Sequence, residues 1–494
     1  MTEESPIKLT GPEYEDERAK DIQTPETPAQ RTPQVRPLNI LIINSDTYRY
    51  DNLFDRATMP VSTPNLDAFS ERAVSMSNFY TGSFPTIPER TDLISGRYAW
   101  PWVPWQYLDS DNIMPQMLNK HSYVTQLICD CPHLFNFGFN RVFNAALQVR
   151  GQEGDVPLLH MNDPIERVMP REKTRSGHHF QDRNLVDLHR WTNRYFRCED
   201  DTFPARTSSH VVRWLEENDQ HRPFFVWVDF FDPHEPWDPP RAYADRYFAW
   251  EGEPGIEYIY PNNRDATPAE KALTRALYCG EVTFVDKWVG AFLNKVDELK
   301  LWDDTIVVMT SDHGTQLLDH GMFGKGASEM HPFNTQIPLY IRHPDGPRGT
   351  KVNAFVQSHD LMPTLLRLLD VPYANVDGED AWALVTGERE HLRDHIVTGW
   401  AGFTVGNAGG RAAVRDDDWN YITSVHEEDP APELYDLHAD PDEVHNVHDD
   451  HPDVIVRQRR RLEAVVGQPL PAHLNEVCDP SPAPFRVYLE SKQE

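Results

Sequence analysis

Three continuous apolar runs of strand length constrain the fold of this chain more than any other feature. They are Leu38–Asn44, Pro223–Phe231 and Thr305–Thr310. Strands that are apolar on both faces are typical of parallel sheets that helices cover on both sides. A helical pattern separates the second run from the third, since Thr267-Pro-Ala-Glu270 has the residues of a capping box and apolar residues recur at helical spacing up to Leu299. The sequence therefore predicts an α/β fold with a mostly parallel central sheet.

The texture of the sequence changes at both ends. Residues 1–37 are rich in Pro, Glu, Asp and Thr, which predicts a disordered or extended N-terminal arm. After about residue 395, short alternating segments such as Arg411–Arg415 and Trp419–Ser424 predict a small antiparallel subdomain. The expected organisation is the arm at 1–37, a main domain at 38–394, and a small C-terminal α+β subdomain with a tail at 395–494.

Charge and cysteine content narrow the expected partners and location. The chain has 47 basic and 78 acidic side chains and a formal net charge of −31, which argues against nucleic acid or an anionic membrane as the main partner. It has no apolar run of about 18 residues and no signal-peptide pattern near Met1. The five cysteines fit a reducing compartment. We therefore expect a cytoplasmic protein that acts on a small ligand.

Metal-ligating side chains follow the apolar runs directly. Asp46 comes after the first run, His234 after the second, and Asp312 and His313 after the third. The carboxyl ends of parallel strands meet at one edge of a sheet, where ligands bind. Two carboxylates and an imidazole suit a divalent ion such as Mn²⁺, Zn²⁺ or Mg²⁺.

A candidate nucleophile lies in the segment Ser83–Arg97. Pro88 can open a helix but cannot sit inside one, so Thr86 is expected at a helix N-terminus with Arg90 on the same face. A hydroxyl beside a dication and a guanidinium is an activated nucleophile for esters of tetrahedral oxyanions. The alternative interpretation is a helix-capping Thr with a surface Arg.

Five stretches, collinear from Asn39 to about Val447, resemble the sulfatase family of the alkaline phosphatase superfamily. They are 39–51, 63–98, 223–240, 311–325 and 433–441, the last containing Glu-Leu-Tyr-Asp-Leu. The resemblance implies an alkaline-phosphatase-like sandwich with a large mixed, mostly parallel central sheet and a small C-terminal antiparallel subdomain. It also makes residues 38–394 a sulfatase-like catalytic domain.

The resemblance also implies roles for individual residues. Asp46, Asp312 and His313 resemble metal ligands of the one-metal branch related to phosphonate monoesterases and choline sulfatases. Thr86 aligns with the nucleophile, which also touches the metal, and Arg90 with the arginine that supports it. The expected ion is Mn²⁺ or Zn²⁺, with Mg²⁺ or Ca²⁺ as alternatives.

Three basic residues resemble groups that act on the ester. Lys325 and His234 resemble those that hold its oxygens or leaving group, and Arg90 and Lys325 are expected to neutralise charge in the transition state. His133 resembles the histidine of the family's Gly-Lys-x-His segment, and His133 or His234 would protonate the leaving group. A surface lysine and ordinary loop histidines are the alternatives.

Departures from the family pattern indicate the substrate class. Thr86 stands where sulfatases have the Cys or Ser that becomes formylglycine, and a phosphorylated Thr is a more tractable intermediate than a sulfated one. Thr47 replaces a second Asp, and Cys131 replaces a lysine, which removes a positive charge that dianionic monoesters need most. The sequence thus predicts a metal-dependent hydrolase of phosphodiesters or phosphonate monoesters with a covalent Thr86 intermediate.

Other interpretations stay open at this point. One alternative is a sulfuric ester hydrolase that works without formylglycine, and another is a catalytically silent binding protein. His331 and His359 are unassigned candidates for a second metal. The tail Pro480–Glu494 is similar in position to extensions that join subunits in related hydrolases, which implies a homo-oligomer.

Overall fold

The structure is a computed structural model that describes most of the chain between residues 37 and 466. The described ranges are 37–52, 61–101, 103, 105–108, 112–153, 155, 189, 193–252, 266–325, 330–400, 411–423 and 432–466. The predicted N-terminal arm, apart from its last residue, and the tail Pro480–Glu494 lie outside them. Within these ranges, no helix is both long enough and apolar enough to cross a membrane.

The α-helices of the described residues lie mainly between the strands, as the alternating pattern predicts. They are α1 (Pro64–Ser70), α2 (Thr86–Ser95), α3 (Met114–Lys120), α4 (Pro132–Asn136), α5 (Phe203–Asn218), α6 (Arg241–Ala244), α7 (Pro268–Glu298), α8 (Pro332–Thr335), α9 (Leu361–Leu368), α10 (Trp382–Val385) and α11 (Pro452–Val466). The predicted capping box at the start of α7 is confirmed, because the Glu270 N–H donates to the Thr267 hydroxyl at 3.2 Å. In return, the Thr267 N–H donates to the Glu270 carboxylate at 2.8 Å.

Eight strands of the described residues form the large sheet. They are β1 (Asn39–Ser45), β2 (Val74–Tyr80), β4 (Val124–Cys129), β5 (Ala145–Gln148), β6 (Phe224–Phe230), β7 (Thr305–Thr310), β10 (Leu339–Arg342) and β11 (Thr350–Gln357). Their order is β11-β2-β10-β7-β1-β6-β4-β5. β10 runs antiparallel to both of its neighbours, whereas the other pairs are parallel. The predicted mixed, mostly parallel sheet is confirmed.

The three apolar runs form the centre of this sheet. β1 lies between β6 and β7, and its register sets Asn44 beside both Asp229 and Thr310. Alternate side chains of β1 point to opposite faces: Ile40 and Ile42 join one buried cluster, whereas Leu41 and Ile43 join the other. Both faces are therefore covered, and ligands of parallel sheets bind at the carboxyl ends of the strands.

The predicted C-terminal antiparallel sheet is present, and it includes one strand from earlier in the chain. It contains β3 (Ser83–Phe84), β12 (Ile396–Trp400), β13 (Ala412–Arg415), β14 (Trp419–Thr423) and β15 (Glu433–Asp436), in the order β15-β14-β13-β12-β3. β3 pairs parallel with β12, whereas the other pairs are antiparallel. The domain boundary near residue 395 stays a prediction.

A hairpin completes the elements around the sheet edge. Its strands are β8 (Gln316–Leu317) and β9 (Phe323–Gly324), which pair antiparallel and follow β7. Lys325 comes directly after β9, so the hairpin carries this lysine toward the carboxyl ends of the central strands.

Candidate active site

The predicted metal ligands come together where β1 and β7 end. Asp46, Asp312 and His313 are fully buried, and one potential ligand atom from each lies within 4.8 Å of the others. The Asp46 N–H donates to the Phe230 carbonyl at 2.9 Å, which continues the β1–β6 pairing by one residue beyond the strand. The sheet edge itself therefore holds the first aspartate in place.

The hydrogen bonding of this cluster fits a divalent cation. Asp46 Oδ1 is buried and has no hydrogen-bond partner within the described residues. His313 Nδ1 lies 2.9 Å from the Gly314 carbonyl, to which it must donate, so the lone pair of the neutral ring is on Nε2. Nε2 faces Asp312 at 3.3 Å and Asp46 Oδ1 at 3.9 Å. Two carboxylates and an imidazole lone pair that converge in a buried space form a ligand set for such an ion.

The pKa values of the clustered side chains also fit a site that binds a cation. Burial and the neighbouring Asp312 raise the pKa of Asp46 well above its usual range. Burial opposes the ionisation of Asp312 too, but Arg90 and His313 lower its pKa to about 2. Burial lowers the pKa of His313 to about 4, so the ring is neutral and able to act as a ligand. A dication would stabilise the ionised form of both aspartates.

Thr86 lies against this cluster at the first position of α2. Its hydroxyl is 3.2 Å from His313 Nε2, and the residue is buried. The free N–H groups and the positive end of the helix dipole favour negative charge at this point. The structure thus places the Thr86 oxygen beside the proposed ligands, where both an alkoxide and a bound oxyanion would be stabilised.

Arg90 is fully buried and uses all five of its N–H groups within the protein. Nε and Nη2 donate to Asp229 at 3.0 and 2.7 Å. Nη2 also donates to Asp46 at 3.0 Å, and Nη1 donates to Asp312 and to the Thr86 carbonyl. A guanidinium has five N–H groups, so none is left for a substrate. Arg90 therefore contacts the aspartates and the start of α2, and its expected role in the transition state stays a prediction.

The second basic group consists of His234 and Lys325. His234 Nδ1 donates to the Glu235 carbonyl at 2.6 Å, which leaves Nε2 to accept a hydrogen bond from Lys325 Nζ at 2.9 Å. Lys325 also binds the Glu235 carboxylate at 3.1 Å. Burial lowers the pKa of His234 well below its usual range. His234 is therefore neutral and accepts from Lys325, and the expected role of a histidine as the acid stays a prediction.

His133 contacts aromatic side chains near His234, and its expected role stays a prediction. Its ring contacts Trp105 edge-on at 5.1 Å between centroids and lies 6.1 Å from Phe231, which stacks on His234 at 4.1 Å. Phe231 therefore contacts both histidines. Cys131, two residues before His133, is buried, and burial raises the pKa of its thiol against the opposing effect of Arg90. The position where the family has a lysine thus carries no charge.

Two carboxylates near Thr86 are not expected from the sequence. Asp229 binds Arg90 from inside β6, and the apolar run around it is a signal, since a charged residue in such a strand needs a buried partner. Glu89, in α2, is fully buried and binds the Ser358 hydroxyl and the Gly82 N–H. Burial and Asp92 raise the pKa of Glu89 well above its usual range. Nothing in the sequence distinguishes Glu89 from a surface helix residue.

The two histidines that were candidates for a second metal have other contacts. His331 binds Glu443 at 2.6 Å, and the His359 ring packs on Tyr98 at 4.0 Å between centroids. Across the described ranges, the Asp46, Asp312 and His313 group is the one set of three or more such side chains with metal-ligand spacing.

Comparison with known protein families matches nearly all of this architecture. The family model described as sulfatase matches residues 38–371, which include every residue of the site. A second family model, described as the C-terminal region of N-sulphoglucosamine sulphohydrolase, matches residues 319–466. The sulfatase family normally uses a divalent metal ion, in agreement with the cluster at the sheet edge.

Individual relatives are distant but cover most of the chain. An arylsulfatase of Clostridium perfringens is 26% identical over 395 residues, which are 72% of this chain and 80% of the relative. An N-acetylgalactosamine-6-O-sulfatase of Bacteroides thetaiotaomicron is 24% identical and covers 86% of this chain and 93% of its own length. Among solved structures, the phosphonate monoester hydrolase of Agrobacterium radiobacter superposes with a TM-score of 0.67 at 23% identity, covering 87% of this chain and 95% of its own. The last comparison supports the fold alone.

Proposed function

Because this chain belongs to the sulfatase family, we propose that it is a metal-dependent hydrolase of phosphate-type esters that uses Thr86 as a covalent nucleophile. Phosphodiesters or phosphonate monoesters are its proposed substrates. The observation that carries the proposal is the position of the Thr86 hydroxyl, 3.2 Å from His313 Nε2 at the start of α2. A structural threonine in a helix cap has no need of a buried carboxylate and imidazole set beside it.

Asp46, Thr86, Asp312 and His313 are the residues that would hold the divalent ion, proposed as Mn²⁺ or Zn²⁺. When bound, such an ion supplies Lewis acidity that lowers the pKa of a neighbouring hydroxyl and polarises the ester oxygens. Arg90 orients both aspartates, because its guanidinium contacts each of them. The N-terminus of α2 presents N–H groups and a positive dipole end to the oxygen of Thr86.

The chemical step exchanges one phosphorus–oxygen bond for another. The Thr86 hydroxyl releases its proton to solvent, its oxygen forms a bond to phosphorus, and the bond to the leaving alcohol breaks. The ammonium of Lys325, which His234 holds at 2.9 Å, is placed to donate a proton to the leaving oxygen. Water then attacks the phosphorylated Thr86 and restores the hydroxyl, so that each turnover consumes one water molecule.

Charge around Thr86 supports singly charged substrates. Cys131 is a neutral buried thiol where the family has a lysine, so the described residues near the nucleophile offer one fewer cation. A phosphodiester or phosphonate monoester carries one negative charge, whereas a phosphate monoester carries close to two at neutral pH. The smaller charge needs less compensation.

The nucleophile is tested with Thr86→Ala, and with Thr86→Ser as the conservative variant. We expect the alanine variant to lose several orders of magnitude in turnover while its metal content stays near that of the unchanged protein. The serine variant should keep measurable turnover, and a slow substrate should add to the peptide that contains residue 86 the mass of its phosphorus group with the substituent that does not leave. Near-normal turnover by the alanine variant would exclude the assignment.

A second candidate function is hydrolysis of sulfate esters without formylglycine. The names of the relatives favour it, since the curated matches include an arylsulfatase and an N-acetylgalactosamine-6-O-sulfatase. One preparation assayed with aryl sulfate, phosphate monoester, phosphodiester and phosphonate ester separates the two functions. A preference for sulfate by orders of magnitude would overturn the phosphate proposal, and no metal-dependent turnover of any ester would indicate a binding protein.

A further inference from the structure

Asp229 is a buried carboxylate that accepts hydrogen bonds from three side chains. It lies in the middle of the large sheet, on β6, in register with Asn44 of β1. Its Oδ2 accepts from Asn44 Nδ2, Trp227 Nε1 and Arg90 Nε, each at 3.0 Å, and its Oδ1 accepts from Arg90 Nη2 at 2.7 Å. A carboxylate with this many donors is held in one orientation.

The pairing with Asp229 determines which N–H groups of Arg90 are available to Asp46 and Asp312. Two parallel hydrogen bonds fix the plane of the guanidinium, so its remaining N–H groups meet one oxygen each of Asp46 and Asp312. Asp46 keeps Oδ1 without a hydrogen-bond partner within the described residues. Without Asp229, the guanidinium would be free to turn and bind the oxygens that a cation needs.

The charge of the group also depends on Asp229. Three carboxylates surround one guanidinium, and an imidazole that binds a cation is neutral, so with a cation bound the formal charge of these protein groups is −2. Two negative charges match a dication. With a neutral residue at 229 only one would remain, and the attraction for a dication would fall.

We propose that Asp229 is a positioning residue that sets the metal affinity of this site. It holds the guanidinium of Arg90 in one orientation and balances the positive charge of that guanidinium. This inference rests on the metal site of the proposed function and adds a residue that touches neither metal nor substrate. Residues that orient metal ligands without touching the metal typically lower metal affinity by about 10- to 100-fold when they are removed.

The test is direct titration of the metal-free protein with Mn²⁺ by calorimetry, with no substrate present. Asp229→Asn should bind Mn²⁺ about 10- to 100-fold more weakly than the unchanged protein. Asp286→Asn is the matched control, because Asp286 is a buried aspartate that accepts hydrogen bonds only from Asn65 and the Leu66 N–H among its described partners. The control should bind Mn²⁺ as the unchanged protein does, whatever it loses in melting temperature.

A double variant separates charge balance from simple damage. Arg90→Gln combined with Asp229→Asn restores two net negative charges, so it should bind Mn²⁺ at least about tenfold more tightly than Asp229→Asn alone. If Asp229→Asn does not fold, Arg90→Gln alone is compared with the double variant, and the single variant should bind more tightly because it keeps the third carboxylate. The inference is overturned if Asp229→Asn binds Mn²⁺ as the unchanged protein does, or if the double variant binds no better. An unchanged protein that binds no divalent metal would instead refute the metal site of the proposed function.

Discussion

Replacement of Asp130 by Asn should make the protein more stable at neutral pH and change how its stability depends on pH. Asp130 follows β4 and is fully buried. It accepts hydrogen bonds from the Phe231 N–H and, at 2.8 Å, from the Thr207 hydroxyl. It therefore holds the start of the loop that carries His234. An Asn side chain keeps both contacts, because its oxygen can accept from Phe231 and its amide can donate to Thr207.

The size of the effect follows from the pKa of Asp130. Burial raises that pKa from 3.8 to about 7, although the contacts with Phe231 and Thr207 lower it. Between these two values the folded protein keeps a proton that the unfolded chain has lost, so stability falls as pH rises and levels off above about 7. The penalty at full ionisation is about 4 kcal/mol, and about 3 kcal/mol of it develops between pH 5 and pH 8. Asparagine has no such penalty.

Melting temperatures of both proteins between pH 5 and pH 8 measure this difference. A chain of 494 residues changes its melting temperature by about 1 °C per kcal/mol, so the advantage of Asp130→Asn should grow by about 3 °C across this range. Asp360→Asn is the control. Burial opposes the ionisation of Asp360, but Arg393 binds both of its carboxylate oxygens at 2.7 Å and lowers its pKa. That variant should be less stable by a constant amount across the same range. A difference between Asp130→Asn and the unchanged protein that does not vary with pH would refute the reasoning.

Three further predictions concern the site itself. Lys325→Ala should lower turnover by about 10²- to 10³-fold, because it removes the ammonium that His234 holds. Lys325→Arg should restore part of this turnover. Unchanged turnover of the alanine variant in steady-state assays would remove Lys325 from the mechanism. Chelation of divalent metal should abolish turnover, and a protein whose turnover is unaffected by chelation has no essential metal. Mn²⁺ at 100 times its dissociation constant should raise the free energy of unfolding, measured by denaturant titration, by about 2.7 kcal/mol. Cys131→Lys should raise the ratio of phosphate monoester to phosphodiester turnover, and an unchanged ratio would show that this position does not select substrate charge.

The central fold could be predicted from the sequence because its signals are local. The three apolar runs, the capping box at Thr267 and the polar residues that end the strands each report on their own segment. The parallel packing of β1 and β7 then brings Asp46, Asp312 and His313 together without further information. The cellular location of the protein, its oligomeric state and the roles of its N-terminal arm and C-terminal tail stay predictions.

Other parts of the site depend on contacts between distant segments. The use of every N–H of Arg90 depends on Asp229, which is 139 residues away, and the neutral state of His234 depends on burial and on Lys325. The sequence shows these residues but not which of them face each other. The contacts of Arg90 and His234 therefore come from the structure, and their expected roles in the reaction stay predictions.

The pairing of β3 with β12 means that the C-terminal sheet is not a detachable module. The Gly399 N–H donates to the Gly82 carbonyl at 3.1 Å, directly before the two residues that lead through Pro85 into Thr86. Gly399 also lies against Trp100, where a Cβ would come within 2.1 Å of the indole. A fragment that ends near residue 395 would leave the backbone that leads into Thr86 without its partner strand. Truncation of the C-terminal sheet is therefore expected to disturb the position of Thr86 as well as the end of the chain that is removed.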